Sequence, residues 1–160
     1  ARYDKIHLFR YDNGRERYDE ATVLVAGEQP TAFTLKDRSG KDWRVGLSVC
    51  YDLRFPELYR QLAADILVVP SAFTYTTGQA HWELLLRARA IENQAFVIAS
   101  AQGGLHENGR HTWGQTLVVD PWGAILGQHA VGAGLVVCEL DLARLQSVRQ
   151  QLPALQHRRL

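Results

Sequence analysis

The chain passes from a strand pattern to a helix pattern within one segment, Gly46-Leu47-Ser48-Val49-Cys50-Tyr51-Asp52-Leu53-Arg54-Phe55-Pro56-Glu57. The apolar run from Trp43 to Cys50 is typical of a strand. Pro56 and Glu57 are residue types that favour the first turn of a helix. A cysteine between a strand and a helix stands on a tight turn, where the next backbone N–H groups point at whatever its sulfur attacks. Cys50 is therefore a candidate nucleophile.

The ordinary alternative for a free cysteine is a small buried hydrophobic residue, and Cys138, inside the apolar run 135–140, fits that description. A thiol with a pKa near ~8.5 is only a few per cent ionised at neutral pH, so a nucleophilic Cys50 needs a partner. Lys5, at the start of a predicted strand, is one candidate partner. The alternative interpretation is that Lys5 is an ordinary solvent-exposed lysine at the end of a strand. None of the six histidines can be assigned as the partner by spacing.

Strands and helices are predicted on both sides of this turn. Before it we expect a strand, a polar loop with the turn dipeptide Asn13-Gly14, and a hairpin; after it we expect helices interleaved with apolar strands. The predicted strands are Ile6 to Phe9, Thr31 to Lys36, Trp43 to Cys50, Ile66 to Pro70, Phe96 to Ala101, Thr116 to Val119, Ala124 to Gln128 and Gly134 to Leu140. The predicted helices are Phe55 to Ala64, Gln79 to Gln94 and Leu142 to Leu152, and Gly103 to Gly114 is predicted as a loop.

For the long helix, the period places Leu84, Ala88, Ile91 and Ala95 on one apolar face. The whole order predicts a mixed α/β layer protein, in which helices cover one face of a sheet and the other face packs on something else.

Composition excludes several classes of protein. With 46% hydrophobic and 22% charged residues, the 160-residue chain is not disordered, collagen-like or coiled-coil. A net charge of +1 does not favour nucleic acid or a membrane surface as a partner, and the apolar runs are too short for a membrane span. Two distant cysteines indicate a reducing, cytoplasmic setting. Met is absent even at position 1, so we expect a fragment of a longer chain.

No metal or cofactor is predicted. His81-Trp82-Glu83 has the His-x-Glu of zinc deaminases, but no Pro-Cys-x-x-Cys follows it. The sequence also lacks a P-loop, a Gly-x-Gly-x-x-Gly fingerprint and paired Cys-x-x-Cys motifs.

Four separated motifs carry a resemblance to a known family. They are Tyr3-Asp4-Lys5-Ile6-His7-Leu8-Phe9, Cys50-Tyr51-Asp52-Leu53-Arg54-Phe55-Pro56-Glu57, Ala80-His81-Trp82-Glu83-Leu84-Leu85-Leu86-Arg87-Ala88-Arg89-Ala90-Ile91-Glu92-Asn93, and Val118-Val119-Asp120-Pro121-Trp122-Gly123. Together they resemble the carbon–nitrogen hydrolases of the nitrilase superfamily over essentially the whole chain. Within this family, the resemblance is closest to the branch that contains deaminated glutathione amidase. Two further features carry it, Ala101-Gln102 and the segment 156–159.

The resemblance implies a nitrilase-type four-layer α-β-β-α sandwich, of which residues 1–160 form the larger, C-terminal part. It implies that Cys50 attacks an amide carbonyl to form a thioester, expelling ammonia, before water hydrolyses the thioester. Lys5 and the backbone N–H of Tyr51 would stabilise the oxyanion, and Glu20 would be a second glutamate that supports the lysine.

In the family, the general-base glutamate lies before the lysine motif, whereas here four residues precede Lys5. We therefore expect the isolated chain to be inactive or nearly so. Phe73, Thr74, His81 and Trp82 are candidates for a substrate-binding wall, although Phe73 and Trp82 also suit a plain core. Arg87, Arg89 and Glu92 are expected to form a structural ion-pair network beneath the site.

The leading functional hypothesis is hydrolysis of the terminal amide of a small carboxylate-bearing substrate of the deaminated glutathione type. An ω-amidase acting on 2-oxoglutaramate, or another amidase or carbamoylase, is an alternative with the same chemistry. A non-catalytic binding module is an alternative of another class. The resemblance also implies a homodimer or a higher homo-oligomer, with the small-molecule amide as the other partner.

Overall fold

The structure, a computed structural model, describes residues 1–159. Its strands are β1 (Arg10–Asp12), β2 (Arg17–Asp19), β3 (Thr31–Lys36), β4 (Asp42–Leu47), β5 (Ile66–Val68), β6 (Phe96–Ala99), β7 (Gly103–Leu105), β8 (His111–Trp113), β9 (Thr116–Val119) and β10 (Ile125–His129). Its α-helices are α1 (Pro56–Leu62), α2 (Tyr75–Asn93), α3 (Leu142–Gln151) and α4 (Ala154–His157). Two 3₁₀ turns cover Glu20–Thr22 and Cys50–Arg54.

A six-stranded sheet in the order β10-β9-β6-β5-β4-β3 organises the molecule. The three central strands, β4, β5 and β6, run parallel, while β3, β9 and β10 are antiparallel to their neighbours. Parallel strands need long crossovers, and α1 and α2 supply the two that connect the central strands. This arrangement brings the carboxyl ends of β4, β5 and β6 to one edge of the sheet.

The helices lie on both faces of this sheet. On one face, Leu62 of α1 and Leu86 of α2 belong to the same buried cluster as Leu67 and Val97 of the central strands. On the other face, Leu145 of α3 belongs to a second cluster, with Trp43, Ile66 and Phe96. The predicted mixed α/β class is confirmed.

The β3–β4 hairpin and the Asp120 turn form as predicted. Strands β3 and β4 pair antiparallel from Thr31–Leu47 to Lys36–Asp42. In their turn, hydrogen bonds from the side chains of Ser39 and Trp43 lower the pKa of Asp37 to about 2. At the second turn, Asp120 Oδ1 accepts hydrogen bonds from two backbone N–H groups of the segment 121–124, at 2.9 and 2.7 Å.

The prediction of a strand at Ile6 to Phe9 is wrong. The backbone N–H groups of this segment donate to side chains rather than to a neighbouring strand: His7 to Asp52 Oδ1 at 3.0 Å, and Phe9 to Glu20 Oε2 at 2.7 Å. The strand starts at Arg10 instead, and β1 pairs with β2 around the Asn13-Gly14 turn.

Two further predictions in the C-terminal half are corrected. The segment 103–114, predicted as a loop, contains the hairpin β7–β8. The predicted strand Gly134 to Leu140 is absent from the described residues, and Leu135 and Val137 within it are exposed. Alternating apolar residues alone do not form a strand unless a neighbour accepts their backbone hydrogen bonds.

The long helix is confirmed, but two of the four residues of its predicted apolar face are exposed, while Ala95 is buried. It begins at Tyr75 rather than Gln79, and Leu84 and Ile91 are 69% and 50% exposed. Its buried face includes polar residues that make hydrogen bonds inside the protein, which a count of apolar residues overlooks. The buried residues are Thr77, Gly78, Trp82, Leu86, Arg89, Ala90 and Asn93.

The third helix ends close to the predicted boundary, since α3 stops at Gln151 just before Pro153. Within residues 1–159, none of the helices combines the length and the apolar character that a membrane crossing demands.

Candidate active site

Cys50 opens the 3₁₀ turn that follows β4, two residues after Ser48, whose N–H still bonds to Val68 O of the parallel neighbour at 3.1 Å. The strand thus ends at Leu47, earlier than predicted. Cys50 has φ +50°, a left-handed conformation that is costly for a residue with a Cβ and is held only by its surroundings. Its N–H donates to Pro70 O at 3.0 Å, which ties the turn to the end of β5. The predicted position on a tight turn is confirmed.

A cavity of about 400 Å³ opens at this edge of the sheet. Segments that follow all three parallel strands line it, at the carboxyl ends where open α/β sheets place ligands. The lining residues are Lys5, Phe9, Glu20, Leu24, Val49, Cys50, Tyr51, Arg54, Pro70, Ser71, Ala72, Phe73, Thr74, Thr77, Gln102 and Arg110. The three residues predicted as catalytic, Cys50, Lys5 and Glu20, therefore share one cavity.

Opposing influences act on the Cys50 thiol. Burial raises its pKa most strongly, because the charged thiolate loses solvation. A hydrogen bond from the backbone N–H of Ala72 and the positive charges of Lys5 and Arg110 lower the pKa, while the negative charge of Glu20 raises it. The net shift is upward. The free site thus favours the thiol, and ionisation depends on the surrounding cations.

Lys5 and Glu20 form an ion pair through Nζ and Oε2. The lysine side chain is only 11% exposed. Glu20 is itself held in place, because its Oε2 accepts from Phe9 N at 2.7 Å and its N–H donates to Phe9 O at 2.9 Å. The carboxylate therefore fixes the lysine ammonium and offsets its charge. Tyr51 lines the cavity directly after Cys50, and the oxyanion role of its backbone N–H stays a prediction.

Asp52 connects two parts of the site, and the sequence did not single it out for this place. Its side chain is fully buried and accepts four hydrogen bonds: from Val49 N, from His7 N and Nδ1, and from Tyr3 OH. The last three link the segment that carries Lys5 to the segment that carries Cys50. Burial, followed by the bond to Asp52, raises the pKa of the Tyr3 hydroxyl. A charged residue inside the apolar run 47–53 was the available indication of this role.

Two arginines in the cavity were also missed. Arg54 lies over the rings of Tyr51 and Phe73, at 5.8 and 5.4 Å from the ring centroids, and burial lowers the pKa of its guanidinium. Arg110 lies over the ring of Tyr18 at 5.0 Å. Neither arginine forms an ion pair within residues 1–159. Arginine in a partly apolar cavity is suited to binding a carboxylate.

The four residues predicted as a substrate wall separate into two groups. Phe73 and Thr74 line the cavity, whereas His81 and Trp82 do not. Trp82 is 1% exposed, packs on Phe73 with ring centroids 4.9 Å apart, and donates to Gln115 O at 2.7 Å, so it is a core residue. His81 Nδ1 lies 3.3 Å from a guanidinium nitrogen of Arg54, and its contact with the site is through that residue. Sequence position did not separate these two groups, because all four surround the start of α2.

The ion-pair network on α2 forms with one change. Arg89 pairs with Glu92 at 2.7 Å and donates to Leu53 O of the cysteine turn at 3.0 Å. Arg87 pairs with Glu83 at 3.2 Å rather than with Glu92. The Arg89–Glu92 pair therefore supports the cysteine turn, whereas Arg87 lies outside this pair.

The residues that the structure describes contain no group of three or more His, Cys, Asp or Glu side chains placed to hold a metal ion. The polar groups of the cavity suit an organic acid or amide through hydrogen bonds and charge. Its arrangement of a thiol, a paired lysine and backbone N–H groups can activate a nucleophile and stabilise an oxyanion.

Comparison with known proteins agrees with this geometry. The sequence model of the carbon-nitrogen hydrolase family matches residues 1–150. The deaminated glutathione amidase of Synechocystis sp. is 48% identical over 99% of this chain and 58% of its own length. The deaminated glutathione amidase of Rattus norvegicus is 55% identical over 99% of this chain and 49% of its own. The chain thus spans about half the length of these curated relatives.

A solved structure shows the same fold. The C. elegans NitFhit protein superimposes with a TM-score of 0.88 and 44% sequence identity, covering 99% of this chain and 39% of that one. The predicted nitrilase-type fold is therefore confirmed. With a thiol, a lysine and a glutamate meeting at the strand ends and a family match over 1–150, the chain belongs to the carbon-nitrogen hydrolase family.

Proposed function

We propose that the full-length protein is a thiol-dependent amidase that hydrolyses a carboxylate-bearing amide. The observation that carries this proposal is the common cavity of Cys50, Lys5 and Glu20 at the carboxyl ends of β4, β5 and β6. The likeness to relatives named deaminated glutathione amidase supports it.

In the first half of the reaction, the sulfur of Cys50 bonds to the amide carbon, and the carbonyl oxygen becomes an oxyanion. The ammonium of Lys5 and the backbone N–H of Tyr51 stabilise that charge. The C–N bond then breaks, the thiol proton ends on the departing nitrogen, and an acyl thioester remains. In the second half, water adds to the thioester carbon, the C–S bond breaks, and a carboxylic acid and the thiol are released.

Arg54 supports a substrate with a carboxylate. Its guanidinium lies against the apolar faces of Tyr51 and Phe73 and pairs with no carboxylate of residues 1–159, so a substrate carboxylate would complete its hydrogen bonding. Within residues 1–159, Glu20 is the only acidic residue that lines the cavity, and it is already paired with Lys5. The cavity therefore favours an anionic substrate.

The leaving group depends on which amide is cleaved. The amide bonds of a glutathione-like tripeptide are secondary, so cleavage of deaminated glutathione releases an amine, here the dipeptide cysteinylglycine. The expected release of ammonia applies only to a primary amide such as 2-oxoglutaramate. Separate assays for the two products therefore distinguish the deaminated glutathione amidase from the ω-amidase alternative.

The test uses the full-length protein with each of the two substrates, measuring cysteinylglycine and ammonia. We expect turnover that favours deaminated glutathione, loss of turnover in Cys50→Ala, and no loss in the matched control Cys138→Ala. Turnover that survives Cys50→Ala would contradict the mechanism. Substrate binding without any turnover in the unmodified protein would support a binding module instead.

A further inference from the structure

The backbone of Arg110 is held by hydrogen bonds at both its N–H and its C=O. It directly precedes β8 in the β7–β8 hairpin, where its N–H donates to Asn108 Oδ1 at 3.0 Å and its C=O accepts from His106 N at 2.9 Å. The hairpin in turn bonds to the cavity wall, because Trp113 N donates to Phe73 O at 3.0 Å. The β7–β8 hairpin therefore holds Arg110 at the cavity wall.

The guanidinium of Arg110 has only part of its hydrogen bonding satisfied by the protein. One terminal nitrogen donates to Ala72 O at 2.8 Å, and the plane lies over the ring of Tyr18. Its Nε is buried and has no hydrogen-bond partner among residues 1–159. A buried donor without an acceptor is costly, and a donor on a cation is more so. A ligand carboxylate bound to the remaining terminal nitrogen would offset part of that cost by compensating the positive charge.

Arg110 is separate from Arg54. Arg54 belongs to the turn that follows Cys50 and lies over Tyr51 and Phe73, whereas Arg110 comes from the hairpin and lies over Tyr18. Both line the cavity, and neither has a carboxylate partner in the part of the chain that the structure describes.

Among the cavity residues that the structure describes, the positive charges outnumber the negative ones. Lys5 is offset by Glu20, and the two guanidinium groups have no carboxylate partner within residues 1–159. A substrate with one carboxylate would compensate one of them, and a substrate with two would compensate both. Because the two arginines lie on different elements and over different rings, each can bind a carboxylate of its own.

From this geometry we infer that Arg110 is a specificity-determining residue that binds a second carboxylate of the substrate. The inference rests on the proposed function for the reaction, but it concerns binding and has its own measurement. It assigns the substrate to the class of amides that carry two carboxylates. The terminal nitrogen of Arg110 that does not bond to Ala72 would donate to that carboxylate.

A purely structural role for Arg110 makes a different prediction. Its bond to Ala72 O supports the residue whose N–H donates to the Cys50 sulfur. If support of Ala72 were its whole role, removing the guanidinium would weaken the binding of neutral and anionic ligands alike. Binding selectivity between these ligands separates the two roles.

The test measures calorimetric binding to the full-length protein carrying Cys50→Ala, which prevents turnover. The ligands are glutarate with two carboxylates, butyrate with one, and butyramide with none. We expect Arg110→Gln to weaken glutarate binding by about tenfold or more and to leave butyramide binding unchanged, because a charge-assisted hydrogen bond is lost. Arg110→Lys keeps the charge but not the planar fork, so we expect a smaller loss. Arg38→Gln, on the exposed β3–β4 turn, is the matched control.

An equal loss for all three ligands, or no loss for glutarate, would overturn the inference. If Arg110→Gln does not fold, the glutarate-to-butyramide affinity ratio of Arg110→Lys decides the matter: an unchanged ratio overturns the inference. Absence of amide turnover in the unmodified protein would refute the proposed function while leaving these binding measurements interpretable. The two failures are therefore distinguishable.

Discussion

His7 Nδ1 lies 2.7 Å from Asp52 Oδ1, across 45 positions of sequence. A carboxylate oxygen can only accept, so Nδ1 carries the proton in this bond. The other carboxylate oxygen of Asp52 accepts from Tyr3 OH at 2.8 Å. Lys5 lies between Tyr3 and His7 in the sequence, so one buried carboxylate fixes the lysine segment against the cysteine turn. Asp52 is thus a positioning residue for the lysine and the thiol.

Replacing Asp52 with Asn tests this positioning role. The amide keeps one acceptor oxygen but places an NH₂ group against two of the present donors, so we expect the free energy of unfolding to fall by about 2–4 kcal/mol. Misplacement of Lys5 relative to Cys50 should lower kcat by roughly tenfold to 100-fold with a smaller change in KM. Denaturant unfolding and steady-state kinetics of the full-length protein measure both effects.

Asp42→Asn is the matched control for this variant. Asp42 is exposed and pairs with Lys36 on the surface at 2.7 Å, so its loss should change stability by no more than about 1 kcal/mol. If Asp52→Asn lowered stability and left kcat at the level of the control, Asp52 would be a structural residue without a positioning role.

The pH dependence of thiol alkylation tests the electrostatics of Cys50. Because burial raises its pKa, its reaction with iodoacetamide should rise with pH and reach half its maximum above the ordinary thiol value of about 8.5. Replacing Lys5 with Met removes a charge that lowers the pKa, so the midpoint should move higher still. Peptide mapping separates the label on Cys50 from that on Cys138.

The raised pKa of the Cys50 thiol also makes the stability of the protein depend on pH. The folded state binds the thiol proton more tightly than the unfolded chain, so this contribution to stability is complete below the unfolded pKa. It is lost as the pH rises through the folded pKa. An alkylation midpoint below the ordinary value, or one that moved down in Lys5→Met, would contradict the assigned balance of burial and charge.

The cysteine turn was predictable because its determinants are local. A strand pattern, a cysteine and a Pro-Glu helix start lie within residues 43–57, and the structure places Cys50 on the turn that they indicate. The role of Asp52 was not predictable in this way, since Tyr3 and His7 lie more than 40 positions away and no local pattern records them.

Long-range contacts also explain where the predicted elements failed. Ile6 to Phe9 has the composition of a strand, but the carboxylates of Asp52 and Glu20 take the N–H groups of His7 and Phe9 that a sheet ladder would use. The buried face of α2 was misplaced for a related reason, because Arg89 is buried by its bond to Leu53 O and not by hydrophobicity.

Gly78 near the start of α2 offers a test of the packing that seats the hairpin. A Cβ added there would lie 2.2 Å from Trp113 Cβ of β8, closer than any real contact. Although alanine ordinarily stabilises a helix relative to glycine, we expect Gly78→Ala to destabilise the protein by about 1–3 kcal/mol. The displaced hairpin should also weaken glutarate binding through Arg110. Thermal unfolding and calorimetry measure these effects.

Gln79→Ala is the matched control, because Gln79 is exposed on the same turn of the helix. It should leave stability within about 0.5 kcal/mol of the unmodified protein. A Gly78→Ala protein as stable as this control would show that β8 can move away from α2 at little cost.

Arg87 and Arg89 lie on the same helix but differ in burial. Arg89 is buried, donates through Nε to Leu53 O at 3.0 Å and through a terminal nitrogen to Glu92 at 2.7 Å, and lies over the ring of Tyr59. Lysine keeps the charge but cannot make both bonds, so Arg89→Lys should lower the free energy of unfolding by about 2–4 kcal/mol.

Because Leu53 belongs to the cysteine turn, Arg89→Lys should also change the rate of Cys50 alkylation. Arg87 is about half exposed and pairs with Glu83 on the surface, so Arg87→Lys should cost no more than about 1 kcal/mol and leave that rate unchanged. Equal losses of stability in the two variants would mean that burial of Arg89 does not strengthen its contacts. A stability loss in Arg89→Lys without any change in alkylation would mean that α2 supports the core but does not set the position of the thiol.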